Sequence, residues 1–502
     1  MTVTNSITGP ETGEPASFQY VLPRGQMVHN IIAGDESVSD SEYRWTLDAP
    51  DGQNWLKVPS FDADANQRAC KIGSNAESSV RDYGNDALAQ ILYDASIILT
   101  NDQELPWIVV AETGKPISEA RGEVLSAARV LRQYSRIIPE ASRGRVENSV
   151  SMSVWGVAIP EPVGLSLLVL PWNLPVQILV HKLAAALSAR CPVIVKPSPL
   201  SPLSAARVVR AFTHSGLCRE AISVVHGGPQ TVYDLLSRPE IKMISFTGGT
   251  KAGKAVRIAA AQNDVKVVTE LGGKSANIVL EDADLEKLVA SILRGLTRNQ
   301  GATCTAPTRL LVSNRRSAEI RDLLTKKMDE ISPSDPYEEA SRLGATRTKD
   351  IAERANRRLA DSRTRGADVC GGQEITVPNR KGIFIRPAIV WGPSVEDPIL
   401  TEELFAPVLT VQEFDTVDSA VELTNESPFG LSAGVWATDT EKAKCIAERL
   451  HVGTVHINHY GRRDSIDLPA SGRGDSGTGA EGGPEGVREF QELKSIHIAK
   501  GD

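Results

Sequence analysis

Cys304 lies in the run Asn299-Gln300-Gly301-Ala302-Thr303-Cys304-Thr305, and Glu270 lies in Val268-Thr269-Glu270-Leu271-Gly272-Gly273-Lys274. A thiol flanked by small and polar residues can be approached closely by an electrophilic carbon, whereas a structural cysteine is normally embedded among apolar neighbours and inert. A carboxylate facing such a thiol could act as a general base. Most single cysteines are structural, so the pair carries weight only if other residues place both in one cleft.

Several other residues could do chemistry. Asn173, in Pro171-Trp172-Asn173-Leu174-Pro175, reads either as the cap of the helix that follows or as an amide donating to a developing oxyanion. Lys196 ends the apolar run Pro192-Val193-Ile194-Val195-Lys196 and reads either as a solvated strand-end lysine or as a partner for ribose hydroxyls. Glu403 and Phe405, in Glu402-Glu403-Leu404-Phe405-Ala406-Pro407, are by default a solvated carboxylate and a core ring. The run Gly248-Gly249-Thr250-Lys251-Ala252-Gly253-Lys254-Ala255 resembles a nucleoside-triphosphate loop, but alanine stands where a hydroxyl would ligate magnesium, which argues against a kinase or NTPase. A glycine turn opening a helix still suits a pyrophosphate without a metal. No GxGxxG follows the first strand, which counts against a standard alcohol-type dehydrogenase.

These residues need elements to position them. Apolar runs and helical periods alternate from Gly164 onward: strands at 165–170, 192–196, 222–226, 243–247 and 266–270, with helices at 176–188, 202–215, 231–236 and 251–261. Such alternation predicts a doubly wound, largely parallel sheet with ligands at the carboxyl ends of its strands. Asn173, Lys196, Gly248, Gly249 and Glu270 all fall at such ends. A second α/β unit is expected from about 282 to 474, with helices at 285–297, 317–331 and 349–365 and strands near 408–414 and 452–458. Two long helices flank the turn Glu112-Thr113-Gly114-Lys115-Pro116 between 79 and 133. Residues 1–75 are weakly patterned and read as an extended arm or irregular layer. Residues 471–483 read as a glycine-rich loop, and 494–500 as a terminal strand suited to another subunit's sheet edge.

Composition narrows the class. The 502 residues, net charge −8, carry no basic footprint for nucleic acid or an acidic membrane surface. Six scattered cysteines without a CxxC or Cys/His ligand spacing argue against a disulfide framework and a zinc site, so no metal is expected and a reducing, cytoplasmic setting fits. No apolar run is long enough to span a bilayer, and the first residues lack the pattern of a signal sequence.

As a set, PWNLP, KPSP, SFTGGTKAGK, ELGGKSANIVL, NQGATC, EELFAPV and GTVHIN, with ETGKP, GIFIRPAIV and Asn425 ahead of Phe429-Gly430-Leu431, resemble the aldehyde dehydrogenase superfamily in order and spacing from about residue 80 onward. The resemblance implies an α/β fold with a Rossmann-type parallel sheet domain (1–141 and 163–270), a second α/β catalytic domain (271–474) and small oligomerisation strands (142–162 and 487–502), assembled as a homodimer or homotetramer.

It further implies oxidation of a small-molecule aldehyde to an acid with NAD, NADP being open as well. Cys304 would be the nucleophile, Glu270 the base that hydrolyses the thioester, and the Asn173 amide with the Cys304 backbone N–H the oxyanion site. Lys196 and Glu403 would hold the two riboses, Phe405 would pack near the nicotinamide, Gly248 and Gly249 would line the pyrophosphate, and Trp172, Ser198, Gly253 and Leu271 would complete the cofactor cleft. Members that pass the acyl group to coenzyme A typically lack the glutamate, so Glu270 favours a free acid. The alternatives are a coenzyme A-acylating enzyme and a non-catalytic protein that kept the fold.

Departures bear on specificity. Pro199 stands where many NAD-preferring members carry a glutamate, Ala406 replaces a frequent glycine, and Gly249 a frequent serine. His181 stands where several relatives acting on anionic aldehydes carry a basic residue, and Arg462 and Arg463 lie in the loop that often lines the substrate pocket. Together they suggest an aldehyde with an anion at its far end, unless the arginines face solvent.

Overall fold

The computed structural model describes residues 25–37, 39, 42–148, 154–461 and 467–499. Two large sheets organise them. In the first, Lys266–Glu270, Met243–Thr247, Ser166–Val169, Val193–Lys196 and Ile222–Val224 lie side by side in that order and run parallel. Ser166–Val169 and Val193–Lys196 are buried along their whole length, as expected of strands covered by helices on both faces. Strand order reverses between Ser166–Val169 and Met243–Thr247, which opens a crevice at the carboxyl ends of those two strands.

The second sheet has the order Asp368–Gly371, Ala388–Trp391, Val408–Phe414, Arg309–Ser313, Ala276–Val279, Ser432–Trp436, Thr454–Ile457, and all neighbours are parallel except the first pair. Four of its strands escape a reading by alternation, because they are short and buried along their whole length, so that no polar face marks a period.

The expectation of an extended arm over residues 1–75 needs correction over its described part, residues 1–24 lying outside the described residues. Asn30–Ile32 extends the first sheet antiparallel to Ile222–Val224, Tyr43–Leu47 and Asn54–Pro59 form a ribbon, and Ala63–Asn75 is a helix capped by Asp62, whose side chain accepts from Ala65 N–H at 2.8 Å. Strands of three to six residues leave too little pattern to read. The helical stretch before the sheet is also more broken than expected. Asn85–Asn101 stops at Asp102, which accepts from Glu104 and Leu105 N–H and restarts the chain as Leu105–Thr113. The break at Gly114 falls where the turn residues placed it, with φ +79.

A third sheet is antiparallel, with Val154–Pro162 between Arg145–Asn148 and Gln491–Ala499. The terminal strand therefore pairs along one edge within its own chain. Residues 471–483 are less loop-like than expected: Gly477–Thr478 pairs with Thr269 and Glu270 at the edge of the first sheet. No helix among the described residues is long and apolar enough to cross a membrane.

Candidate active site

The first sheet contributes the carboxyl ends of its strands. Glu270 closes Lys266–Glu270 opposite Thr247, and its carbonyl accepts from Gly248 N–H at 3.1 Å, which ties the glycine turn to the carboxylate's strand. The helix Thr250–Gln262 starts at Gly249 with no side chain capping its N–H groups, and open space lies where a Gly249 side chain would be. Gly253 and Leu271 meet further in: a Cβ at Gly253 would lie 2.2 Å from Leu271 Cδ2, so the glycine lets the helix close on the Glu270 turn. Lys196 is buried at the end of its strand, and the Ser198 hydroxyl beyond it accepts from Leu200 N–H at 3.2 Å.

The second sheet contributes the loops that enter its strands. Cys304 precedes Arg309–Ser313, Gly273 precedes Ala276–Val279, Glu403 precedes Val408–Phe414, and Leu431 precedes Ser432–Trp436. A Cβ at Gly273 would sit 2.4 Å from Cys304 O, and one at Gly272 2.4 Å from Glu403 Oε2. Only glycines allow these loops to lie so close. Gly273 N–H donates to Glu403 Oε1 at 3.0 Å. Trp172 and Phe405, the latter at φ +60, meet edge to face with centroids 5.8 Å apart.

The backbone before Cys304 is unusual. Asn299, Gln300 and Gly301 take φ values of +49, +54 and +76, the left-handed region that costs side-chain-bearing residues energy. Hydrogen bonds hold the bend. Asn299 N–H donates to Glu119 Oε2 at 2.8 Å, its amide donates to Asn173 O at 2.8 Å and Ala302 O at 3.0 Å, and the Gln300 amide donates to Gly114 O at 3.1 Å. Asn173 does not cap the following helix. Its buried Nδ2 donates to Ala302 O at 2.8 Å, two residues before the thiol, and a second amide hydrogen remains for a ligand. The helix cap falls instead to Glu123, whose Oε1 accepts from Val176 and Gln177 N–H at 2.9 and 3.1 Å. Lys115 pairs with the other Glu123 oxygen at 2.5 Å and donates to Asn173 O at 2.8 Å.

Electrostatics make the resting thiol hard to ionise. Burial first, then the carboxylates of Glu403, Glu270 and Glu481, push the Cys304 pKa up to about 12. The three carboxylates thus lie within electrostatic reach of the same sulfur. Burial lifts the Glu403 carboxyl to about 7, opposed by the Gly273 N–H and by Lys274 and Arg354. Lys274 is itself lowered to about 7 by burial and then by Arg309.

Sequence reasoning thus named Cys304, Glu270, Asn173 and Glu403, which the fold brings together. It missed their supports. Lys115, Glu119, Glu123 and Asn299 act through backbone groups distant in sequence; Lys115 and Asn299 lay in recognised motifs, but their supporting roles were not read. It also missed Lys182, buried and hydrogen-bonded to Ser245 Oγ at 2.7 Å and to Glu481. His181 is half-buried on the helix Pro175–Ser188, on the face that also leaves Leu174, Gln177 and Ile178 partly open. Arg462 and Arg463 lie outside the described residues. No group of three or more His, Cys, Asp or Glu that could hold a metal occurs among the described residues.

A nicotinamide dinucleotide fits this cleft: an uncapped helix N-terminus opens onto space at Gly249, and Lys196 has a buried ammonium with no acceptor among the described residues. Comparison with known proteins agrees. The family model described as the aldehyde dehydrogenase family matches residues 38–496. The chain is 34% identical over 377 residues to a 3-succinoylsemialdehyde-pyridine dehydrogenase from a Pseudomonas species, covering 75% of this chain and 76% of that one. Among solved structures, an indole-3-acetaldehyde dehydrogenase complexed with NAD+ superposes with a TM-score of 0.91 at 30% identity, covering 94% of this chain and 97% of that one. An NADP-dependent enzyme of E. coli superposes with a TM-score of 0.91 at 26% identity, covering 94% and 98%. The chain belongs to the aldehyde dehydrogenase family and is an NAD(P)-dependent aldehyde dehydrogenase.

Proposed function

We propose that the enzyme oxidises its aldehyde to a free carboxylic acid through a covalent intermediate on Cys304, with Glu270 as the hydrolytic base. The observation that carries this is a buried thiol within electrostatic reach of Glu270, two residues after the Ala302 carbonyl that the Asn173 amide holds. Because the thiol resists ionisation, its proton must leave as sulfur bonds to the carbonyl carbon, passing to water in the cleft and leaving Glu270 ionised for the hydrolytic step. The free Asn173 amide hydrogen and the Cys304 N–H then hold the oxyanion of the thiohemiacetal. When bound, the dinucleotide supplies the acceptor for the hydride that leaves as the carbonyl re-forms. Glu270 next deprotonates a water that attacks the thioester carbon, and the C–S bond breaks to return the thiol and release the acid. Lys196, Ser198, Gly248, Gly249 and Gly253 would seat the adenosine and pyrophosphate, and Trp172, Leu271, Glu403 and Phe405 the nicotinamide end. An aldehyde panel with NAD and NADP, with no thiol added, tests the reaction: acid and reduced cofactor in equal amounts are expected, and a strict requirement for coenzyme A would overturn it.

A narrower reading is an aldehyde with an anion at its far end, read by His181, Arg462 and Arg463. The carboxylates round Cys304 repel an anion near the reacting carbon, so that charge must sit at the mouth of the site. A semialdehyde carboxylate should then exceed its neutral ester in kcat/KM; equal values would sink this reading. Assembly into a homodimer or homotetramer is supported by Trp155, Ile159, Leu493, Ile496 and Ile498, apolar side chains exposed on the third sheet. Light scattering tests it, a monomer being the contrary result.

A further inference from the structure

The third sheet has two unlike faces. Residues directly opposite one another in antiparallel strands share a face, so the pairs Ile498 with Trp155, Ile496 with Val157 and Lys494 with Ile159 gather Trp155, Ile159, Ile496 and Ile498 on one side. Those four apolar side chains are exposed. The pairs Arg145 with Ala158 and Leu493 with Pro160 put Arg145, Ala158, Pro160 and Leu493 on the other side.

A cavity of about 490 Å³ lies on that second side. The four residues just named line it from the sheet, Arg143 lines it from the segment that follows the helix Ile117–Ala141, and Arg488 from the short helix Gly483–Glu489. Three guanidinium groups therefore surround one space. In a chain of net charge −8, no acidic residue lines it, and its apolar floor of Ala141, Ala158, Pro160 and Leu493 offers no side-chain acceptor. The arginines are also poorly matched outside it. Arg488 meets Glu485 at 3.2 Å and Arg145 reaches Glu147 only at 4.0 Å, both pairs being exposed and so of little worth. The Arg143 guanidinium has no partner among the described residues. Three like charges round one cavity repel until an anion bridges them.

We propose that this cavity binds a small polyanion, one with two or more carboxylate or phosphate groups shared among Arg143, Arg145 and Arg488. Guanidinium forks match the oxygens of both groups, and the volume falls within the range of small-molecule sites. The site stands apart from the cleft that holds Cys304, since no residue lining it takes part in the proposed reaction or in seating the dinucleotide. Assembly through the apolar side of the sheet would leave it open, because the arginines lie on the opposite side.

Calorimetric titration of the full-length protein with citrate and with inorganic pyrophosphate tests this, and the tighter of the two tells carboxylate from phosphate. One equivalent of polyanion should bind, with acetate at least a hundredfold weaker. Arg143→Gln, Arg145→Gln and Arg488→Gln should each weaken binding about tenfold, the scale of one charge-assisted hydrogen bond, and the triple variant should abolish it. All three positions are exposed, so circular dichroism and turnover of the variants should match the parent. The polyanion should raise the melting temperature of the parent and leave that of the triple variant where it was. Absence of binding by both polyanions would overturn the proposal. So would binding that survives the triple substitution, which would seat the anion elsewhere, or acetate binding as tightly as citrate.

Discussion

The two sheets meet at the active site from opposite ends. The first presents the carboxyl ends of its strands, where Glu270, the glycine turn and Lys196 emerge from regular elements. The second presents loops that enter its strands, and Cys304 leaves a left-handed bend held by the Asn173 and Asn299 amides, which donate, and by Glu119, which accepts from Asn299 N–H. One wall is built by strand geometry, the other by side chains satisfying backbone groups far away in sequence. The proposed chemistry needs both: the regular wall would fix the base and the cofactor, while the irregular one would keep a poorly ionised thiol at the cleft.

The sharpest break in that pairing is Cys304→Ala. Turnover should fall about 10^4-fold or more, while ADP titrates as in the parent because the first wall is untouched. Loss of ADP binding would show that the two walls are not separable. Asn173→Ala should lower kcat about 10²- to 10³-fold with KM changed little, if the amide that donates to the Ala302 carbonyl also donates to the developing oxyanion as proposed. Lys115→Met leaves Glu123 buried without its cation and should cost about 3–5 kcal/mol in the unfolding of its domain, read by chemical denaturation. If stability is unchanged, the buttress of the second wall is ornamental. A smaller effect comes from pH. Because the Cys304 pKa stands near 12, the thiolate fraction of the free enzyme rises about tenfold per pH unit below that value, and alkylation by iodoacetamide should climb without a plateau near neutrality.

The same contrast explains what could be read from the sequence. Met243–Thr247 and Lys266–Glu270 match their expected bounds because apolar runs between helical periods mark buried parallel strands. The motifs carrying Cys304, Glu270 and Glu403 were legible as a set, before any geometry placed them together. Lys182, Glu123 and Asn299 were not, since hydrogen bonds across 299, 53 and 126 positions leave no periodic trace. The early strands were missed because Asn30–Ile32 and its neighbours take their meaning from the sheet they join rather than from their own pattern.

The central claim is that Cys304 carries an acyl group that Glu270 releases. Glu270→Gln keeps the shape of the first wall and removes its base. Mixed with aldehyde and NAD or NADP, this variant should give a burst of reduced cofactor, then a slow rate about 10²- to 10⁴-fold below the parent. Intact mass after the burst should show one acyl adduct, and peptide mapping should place it on Cys304. An unmodified Cys304 alongside acid release at the parental rate would contradict the account.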